Sequence, residues 1–283
     1  MFIYFTKMHG LGNDFVVIDN VRYYSKITPA IIKQLSNRHS GIGFDQLLIV
    51  EPPERADIDF NYRIFNQDGS EAEQCGNGAR CFMRFVLQHG LTDKTQISVK
   101  TKSGVIELAL DQNNQDHIVV NMGRALFEPA QIPFIPESEQ KISERGTYQV
   151  SVSGQLMDLH LASMGNPHAV VLNASEMSEL EQLGQAINQH PQFPQGVNLS
   201  FISVITKQEI KLKVYERGSG ITLACGTAAC AAVAIGWQQH YLDPGTVTVN
   251  LPGGKLCIKQ NNQHEILMSG PAEEVFQGRV PIE

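Results

Sequence analysis

The chain repeats itself once, with a period near half its length, and this limits what it can fold into more than any single motif does. Gly12-Asn13-Asp14-Phe15-Val16-Val17 returns as Gly165-Asn166-Pro167-His168-Ala169-Val170-Val171, with the asparagines 153 positions apart. Cys75-Gly76-Asn77 returns as Cys225-Gly226-Thr227 at a separation of 150. Val99 with Ser103-Gly104 keeps that separation from Val249 with Gly253-Gly254. It shortens to 148 between Asn113-Asn114 and Asn261-Asn262, and to 147 between Gly123 and Gly270. A separation that drifts without jumping is what small loop insertions leave in a duplicated domain. The 283 residues are therefore expected to form two pseudo-symmetric lobes, divided near residues 122 and 123.

Each half carries the same series of patterns. A strand (Ile3 to Thr6; Leu156 to Leu161) enters the Gly-Asn turn, followed by an apolar run (Phe15 to Ile18; Ala169 to Leu172) and an amphipathic helix (Pro29 to His39; Met177 to Gln189). A second apolar strand follows (Gln46 to Val50; Leu199 to Ile205), then a strand leading to the cysteine (Ile58 to Asn66; Ile210 to Glu216). The Cys-Gly helix comes next, and a hairpin-rich finish turns at the paired asparagines. Strands outnumber helices, and their alternation suits antiparallel pairing, so the class is α+β. Asn77 and Thr227 share a slot and are both good N-caps, which predicts helices beginning there. Arg124 to Gly154 is the least patterned stretch and reads as the connection between lobes.

Composition narrows the functional classes. The charges, 22 basic against 29 acidic, leave a net of −7, with no basic excess for nucleic acid or anionic lipid. Gly218 to Leu242 lacks Asp, Glu, Lys and Arg, but its Gly, Ala, Ser and Thr content predicts a helix in a soluble core, not a membrane span. Five cysteines with nothing resembling a secretory leader before them suggest free thiols in a cytoplasmic protein.

Cys75 and Cys225 concentrate the chemistry. A cysteine at a helix N-terminus meets unpaired N–H groups and the positive end of the macrodipole, which favour a thiolate and also seat a carboxylate. The competing reading, a small buried hydrophobe, fits Cys81, Cys230 and Cys257 better. The spacings from Cys75 to Cys81 and from Cys225 to Cys230 fit neither a structural zinc motif nor a redox Cys-x-x-Cys, so no metal is expected. Gly10-Leu11-Gly12 is no dinucleotide fingerprint and there is no Walker pattern, so no cofactor is expected either. Two thiols, one from each lobe across an interdomain cleft, can take a proton from one face of a carbon and return one to the other. That is racemisation or epimerisation. Asn13, Gln46, Asn66, Asn166, Asn198 and Glu216 recur at matched positions and suggest a polar shell for a small ligand.

At these residues the chain resembles the diaminopimelate epimerases. The matching segments are Met8 to Phe15, Phe65 to Ser70, Cys75 to Cys81, Gly165 to His168, Gly196 to Asn198, Glu216 to Gly218 and Ala224 to Thr227, with Gly270-Pro271-Ala272 near the end. The resemblance implies a cofactor-independent isomerase that interconverts LL- and meso-diaminopimelate, with Cys75 and Cys225 as the acid/base pair. It implies that the backbone amides of Gly76, Asn77, Gly226 and Thr227 hold the reacting carboxylate. Asn13, Gln46, Asn66, Asn166, Asn198, Glu216 and Arg217 would contact the substrate, while His168 and Glu216 tune the thiols. It further implies two lobes, 1–122 and 123–270, each a mainly antiparallel β-structure around a central helix, with a tail, 271–283, returning to the first. A homodimer is implied as well, for which Phe276 in the tail is the expected contact. A proline racemase or hydroxyproline epimerase shares the two-cysteine logic, but its substrate has no distal amino-carboxylate for Asn66, Glu216 and Arg217. A noncatalytic binding protein of this fold would not need both thiols.

Overall fold

Both Gly-Asn segments become the turn of a strand pair in the computed structural model, which describes residues 2–72, 75–137, 146–172 and 179–282. β1 (Phe2–Gly10) and β2 (Asn13–Asp19) pair antiparallel through Leu11 and Gly12, whose φ angles are 58° and 86°. Two consecutive left-handed residues match the twist of the flanking strands, which explains a glycine at the second position. The chain divides into two compact units, Met1–Asn121 with Ser269–Glu283, and Met122–Met268.

In the first unit, α1 (Pro29–Ser36) starts at Thr28, whose hydroxyl accepts from the Ile31 amide at 3.4 Å, and buries Ile32 and Leu35. The helix carries the chain back, so that β3 (Gln46–Glu51) lies parallel to β2. β4 (Phe60–Asn66) is antiparallel to β3, and β5 (Glu71–Ala72) leads to α2 (Gly76–Gln88). Then β6 (Gln96–Thr101) lies parallel to β4, and β7 (Gly104–Leu110) and β8 (His117–Asn121) continue antiparallel.

In the second unit, β9 (Tyr148–Val152) adds to β10 (Gln155–Ser163), and the first unit's order then repeats. β11 (Pro167–Leu172), α3 (Leu180–Ile187), β12 (Asn198–Thr206), β13 (Glu209–Glu216) and β14 (Gly220–Thr222) precede α4 (Gly226–Gln238). β15 (Val247–Leu251) and β16 (Gly254–Gln260) follow, and the second unit ends within β17 (Ile266–Pro271), at Met268. The parallel pairs recur in place: β11 with β12, and β13 with β15. Antiparallel pairing predominates, as the alternation predicts, and the parallel pairs occur where a helix intervenes. β18 (Glu273–Pro281) runs antiparallel to β1, from Phe2 opposite Pro281 to His9 opposite Glu273.

The helix that follows each cysteine is the buried one. α4 is covered almost all round, from Gly226 and Ala228 to Gly236, which its run of alanines makes possible without crowding. In α2, Gly78 is forced by a neighbour: a Cβ there would lie 2.6 Å from the Tyr62 hydroxyl. Among the described residues no helix is long and apolar enough to cross a membrane.

Three expectations change. The N-caps are the cysteines themselves, at φ −142°, ψ 111° for Cys75 and −128°, 113° for Cys225, with their carbonyls accepting from Ala79 and Ala229. Asn77 and Thr227 lie inside the first turn, because their side chains are engaged elsewhere. Helix α1 stops at Ser36, since the Asn37 side chain accepts from the His39 and Ser40 amides and turns the chain. The helix expected from Met177 is helical from Leu180 to Ile187. Residues 177 and 178, and part of the expected connection between lobes, lie outside the described residues.

Candidate active site

In the first unit the Gly-Asn turn is carried to the start of α2. The Cys75 thiol donates to Asn13 Oδ1, with Sγ 3.8 Å away, and Asn77 Nδ2 donates to the same oxygen at 3.2 Å. The other end of the Asn13 amide donates to Asp45 Oδ2 at 2.8 Å. Behind Asp45 stands Arg38, bonded to Asp45 at 2.9 Å and to both oxygens of Asp14 at 2.9 and 2.7 Å. Burial would raise the Asp14 carboxyl, but hydrogen bonds and charge from Arg38 and Lys7 overcome it and hold the group far below the ordinary carboxylate range. Gln46 and Asn66, opposite each other on β3 and β4, bond to one another at 3.0 Å, and Asn66 also donates to Ser70.

In the second unit the equivalent asparagine reaches its cysteine through a threonine. Asn166 Nδ2 donates to Thr227 Oγ1 at 3.3 Å, and Thr227 Oγ1 lies 3.5 Å from Cys225 Sγ. Having accepted from Asn166, the Thr227 hydroxyl keeps its own proton to give to the sulfur. Asn166 Oδ1 faces His168 Nε2 at 2.9 Å. His168 is buried, and this burial, with the Arg217 charge second, pushes its pKa down to about 3. Cys225 is 5 % exposed, and its thiol is raised well above the usual range, first by burial and then by the Glu216 charge, against opposing hydrogen bonds from Thr227 and the Ala228 amide. Glu216 also accepts from Thr222 at 2.5 Å. The Asn198 side chain fixes the Arg217 backbone amide at 2.8 Å, and the guanidinium reaches Gln195.

Each unit thus places a thiol at the N-terminus of a buried helix, with the asparagine of its Gly-Asn turn bonded into the first helical turn. The diaminopimelate epimerase family model matches residues 5–128 and 160–275, which include all of these groups. The chain belongs to the diaminopimelate epimerase family. Members of that family at 50 to 51 % identity include those of Psychrobacter sp. (strain PRwf-1), over 98 % of this chain and 94 % of the relative, and of Ectopseudomonas mendocina (strain ymp), over 99 % of each. As a member of the diaminopimelate epimerase family, the protein is an isomerase. Solved structures agree on the fold at low identity. A PhzF-family phenazine biosynthesis protein of Bacillus anthracis superposes at TM-score 0.74 and 15 % identity, covering 100 % of both chains. A probable proline racemase of Agrobacterium radiobacter K84 does so at 0.68 and 15 %, covering 99 % of this chain and 93 % of that one.

Within the first unit, Asn13, Cys75 and Asn77 form one bonded cluster, with Gln46 and Asn66 as a separate pair. Within the second, Asn166, His168, Thr227, Cys225 and Glu216 cluster, with Asn198 and Arg217 joined through the backbone. Phe276 lies apart on β18, 48 % exposed, its ring edge-on to Phe5 at 6.0 Å. Sequence reasoning missed Arg38, Asp45, Tyr62 and Thr222. Asp45 precedes Gln46 and could have been flagged by adjacency, but none of the four has a counterpart in the repeat.

Proposed function

We propose that the chain interconverts LL- and meso-diaminopimelate without a cofactor, Cys75 and Cys225 acting as the two bases. One thiolate takes the α-proton, and the thiol on the other cysteine gives its proton to the opposite face of the carbanion. The sulfurs exchange protonation states, and the next turnover in the reverse direction restores them. Support comes chiefly from the equivalence of the two cysteines, each the N-cap of a buried helix, whose N-terminal end favours a carboxylate. On this reading the amides of Gly76, Asn77, Gly226 and Thr227 hold the reacting carboxylate. Asn13, Gln46, Asn66, Asn166, Asn198, Glu216 and Arg217 contact the substrate, and Arg217 suits a bidentate grip on the distal carboxylate. His168 and Glu216 tune the thiols. The protein works in the cytoplasm as a homodimer, with exposed Phe276 on the contact face.

The deciding experiment is epimerisation of LL-diaminopimelate by the wild type, Cys75→Ala and Cys225→Ala without added cofactor, with proline and hydroxyproline as alternative substrates. Either variant keeping wild-type activity would sink the two-base mechanism.

A further inference from the structure

The orientation of the Asn13 amide decides which of its ends meets Cys75, and little in the immediate cluster settles it. Asn13 and Asn77 are both primary amides. If both turned over together, the bond between them would be kept with donor and acceptor exchanged, and the NH₂ of Asn13 would then face the sulfur. Asp45 breaks this tie. Its carboxylate can only accept, so Asn13 must present Nδ2 to it, and Oδ1 is left facing Cys75 Sγ and Asn77 Nδ2. The carboxylate is itself fixed: Oδ2 also accepts from the Asp14 amide at 3.1 Å, and Oδ1 from Arg38 at 2.9 Å.

We propose that Asp45, anchored by Arg38, is a positioning residue for Cys75: it locks the Asn13 amide with its oxygen toward the sulfur, so that the protonated thiol is the favoured form. The inference deepens the reading of Cys75 as an acid/base group and rests on it. An oxygen at this place accepts from S–H and opposes the thiolate, whereas the amide NH₂ would donate to the thiolate and favour it. The N-terminal end of α2 pulls toward the thiolate. The lock therefore supplies the opposing half of a balance that keeps the proton on Cys75 available for return to carbon. Among the described residues, ionisable groups that feel the Cys75 thiol include Tyr62 from β4 and, within α2, Cys81 with Arg80 beside it. Lys7, Asp14 and Arg38 act from beyond Asn13. None of these can substitute for an acceptor at the Asp45 position.

The test is the pH dependence of iodoacetamide alkylation at Cys75, followed by peptide mass spectrometry in the wild type, Asp45→Asn and Arg38→Gln. Asp45→Asn keeps the shape but can donate or accept, so the amides are free to turn over. The expected result is a midpoint at lower pH, with Cys75 alkylated three- to tenfold faster near neutrality. Epimerase kcat should drop about tenfold while KM moves less. Arg38→Gln, which loosens Asp45 without removing it, should shift the midpoint the same way by a smaller step and gives an independent reading should Asp45→Asn fold poorly. An unchanged midpoint in both variants, or a shift to higher pH, would overturn the proposal. The alkylation readout needs no substrate, so epimerisation persisting in Cys75→Ala would sink the catalytic reading alone.

Discussion

Nε2 of His168 lies 2.9 Å from Oδ1 of Asn166, and the two form a hydrogen bond inside the second unit. Asn166 gives its NH₂ to Thr227, so its oxygen must accept, and Nε2 carries the proton. Burial, with the Arg217 charge second, pushes the His168 pKa down to about 3, so the ring that donates is the neutral one.

The acid stability of the fold should carry this signature. An unfolded histidine takes up a proton near pH 6.5, while folded His168 does not until about pH 3, so the unfolded state binds more protons between those values and stability falls as pH falls through that window. Between pH 7 and pH 5 the single site costs about 2 kcal/mol. Urea unfolding at the two pH values should show His168→Gln losing less than the wild type by about that amount. Equal losses would mean that His168 is protonated in the folded state.

Asp14 acts in the same direction at lower pH. Its folded pKa is held far below the unfolded one by Arg38 and Lys7, so its contribution is fully present above about pH 4 and is lost as pH falls below that. Asp14→Asn should cost about 1–3 kcal/mol at pH 7, with the gap to wild type closing in acid. A gap independent of pH would assign the loss to packing.

Removing the Glu216 charge should release Cys225. Glu216→Gln takes away the second-largest cause of the raised thiol, so Cys225 should alkylate several-fold faster at pH 8. Epimerisation should fall by about 10²-fold or more, because the same side chain is proposed to bind substrate. Slower alkylation would place the charge elsewhere.

Gly78→Ala should destabilise by about 1–3 kcal/mol, since the new methyl would meet the Tyr62 hydroxyl 2.6 Å away. That hydroxyl is buried with no hydrogen-bond partner among the described residues, so Tyr62→Phe removes the obstruction without breaking a bond. Thermal unfolding of the double variant should recover part of the loss, with Phe15 and Leu48, 3.2 and 3.3 Å from the added carbon, accounting for the remainder.

The repeat made the architecture legible, because it converted weak patterns such as Leu11-Gly12-Asn13 into positions that had to do the same thing twice. It also located both cysteines. Capping propensity then misplaced the helix starts by two residues. Asn77 and Thr227 are better caps than cysteine in isolation, yet the Asn77 amide is bonded to Asn13 and the Thr227 hydroxyl to Asn166. Tertiary partners outbid the local preference. The parallel pairs escaped notice because no hairpin signal joins strands across a helix. Asp45 and Arg38 were invisible to the repeat for a plainer reason: Val197 stands where the second unit would need an acid, so the units hold their asparagines by different means.

The pairing of β18 with β1 bears on how the protein is made. The first unit is interrupted in sequence, and the strand that completes it along β1 leaves the ribosome roughly 270 residues after its partner, or about 15–50 s at ordinary elongation rates. During that interval the second unit is finished while one edge of β1 stays open to any passing strand. Folding of this chain therefore ends where it began, and the time between is its period of greatest exposure to aggregation.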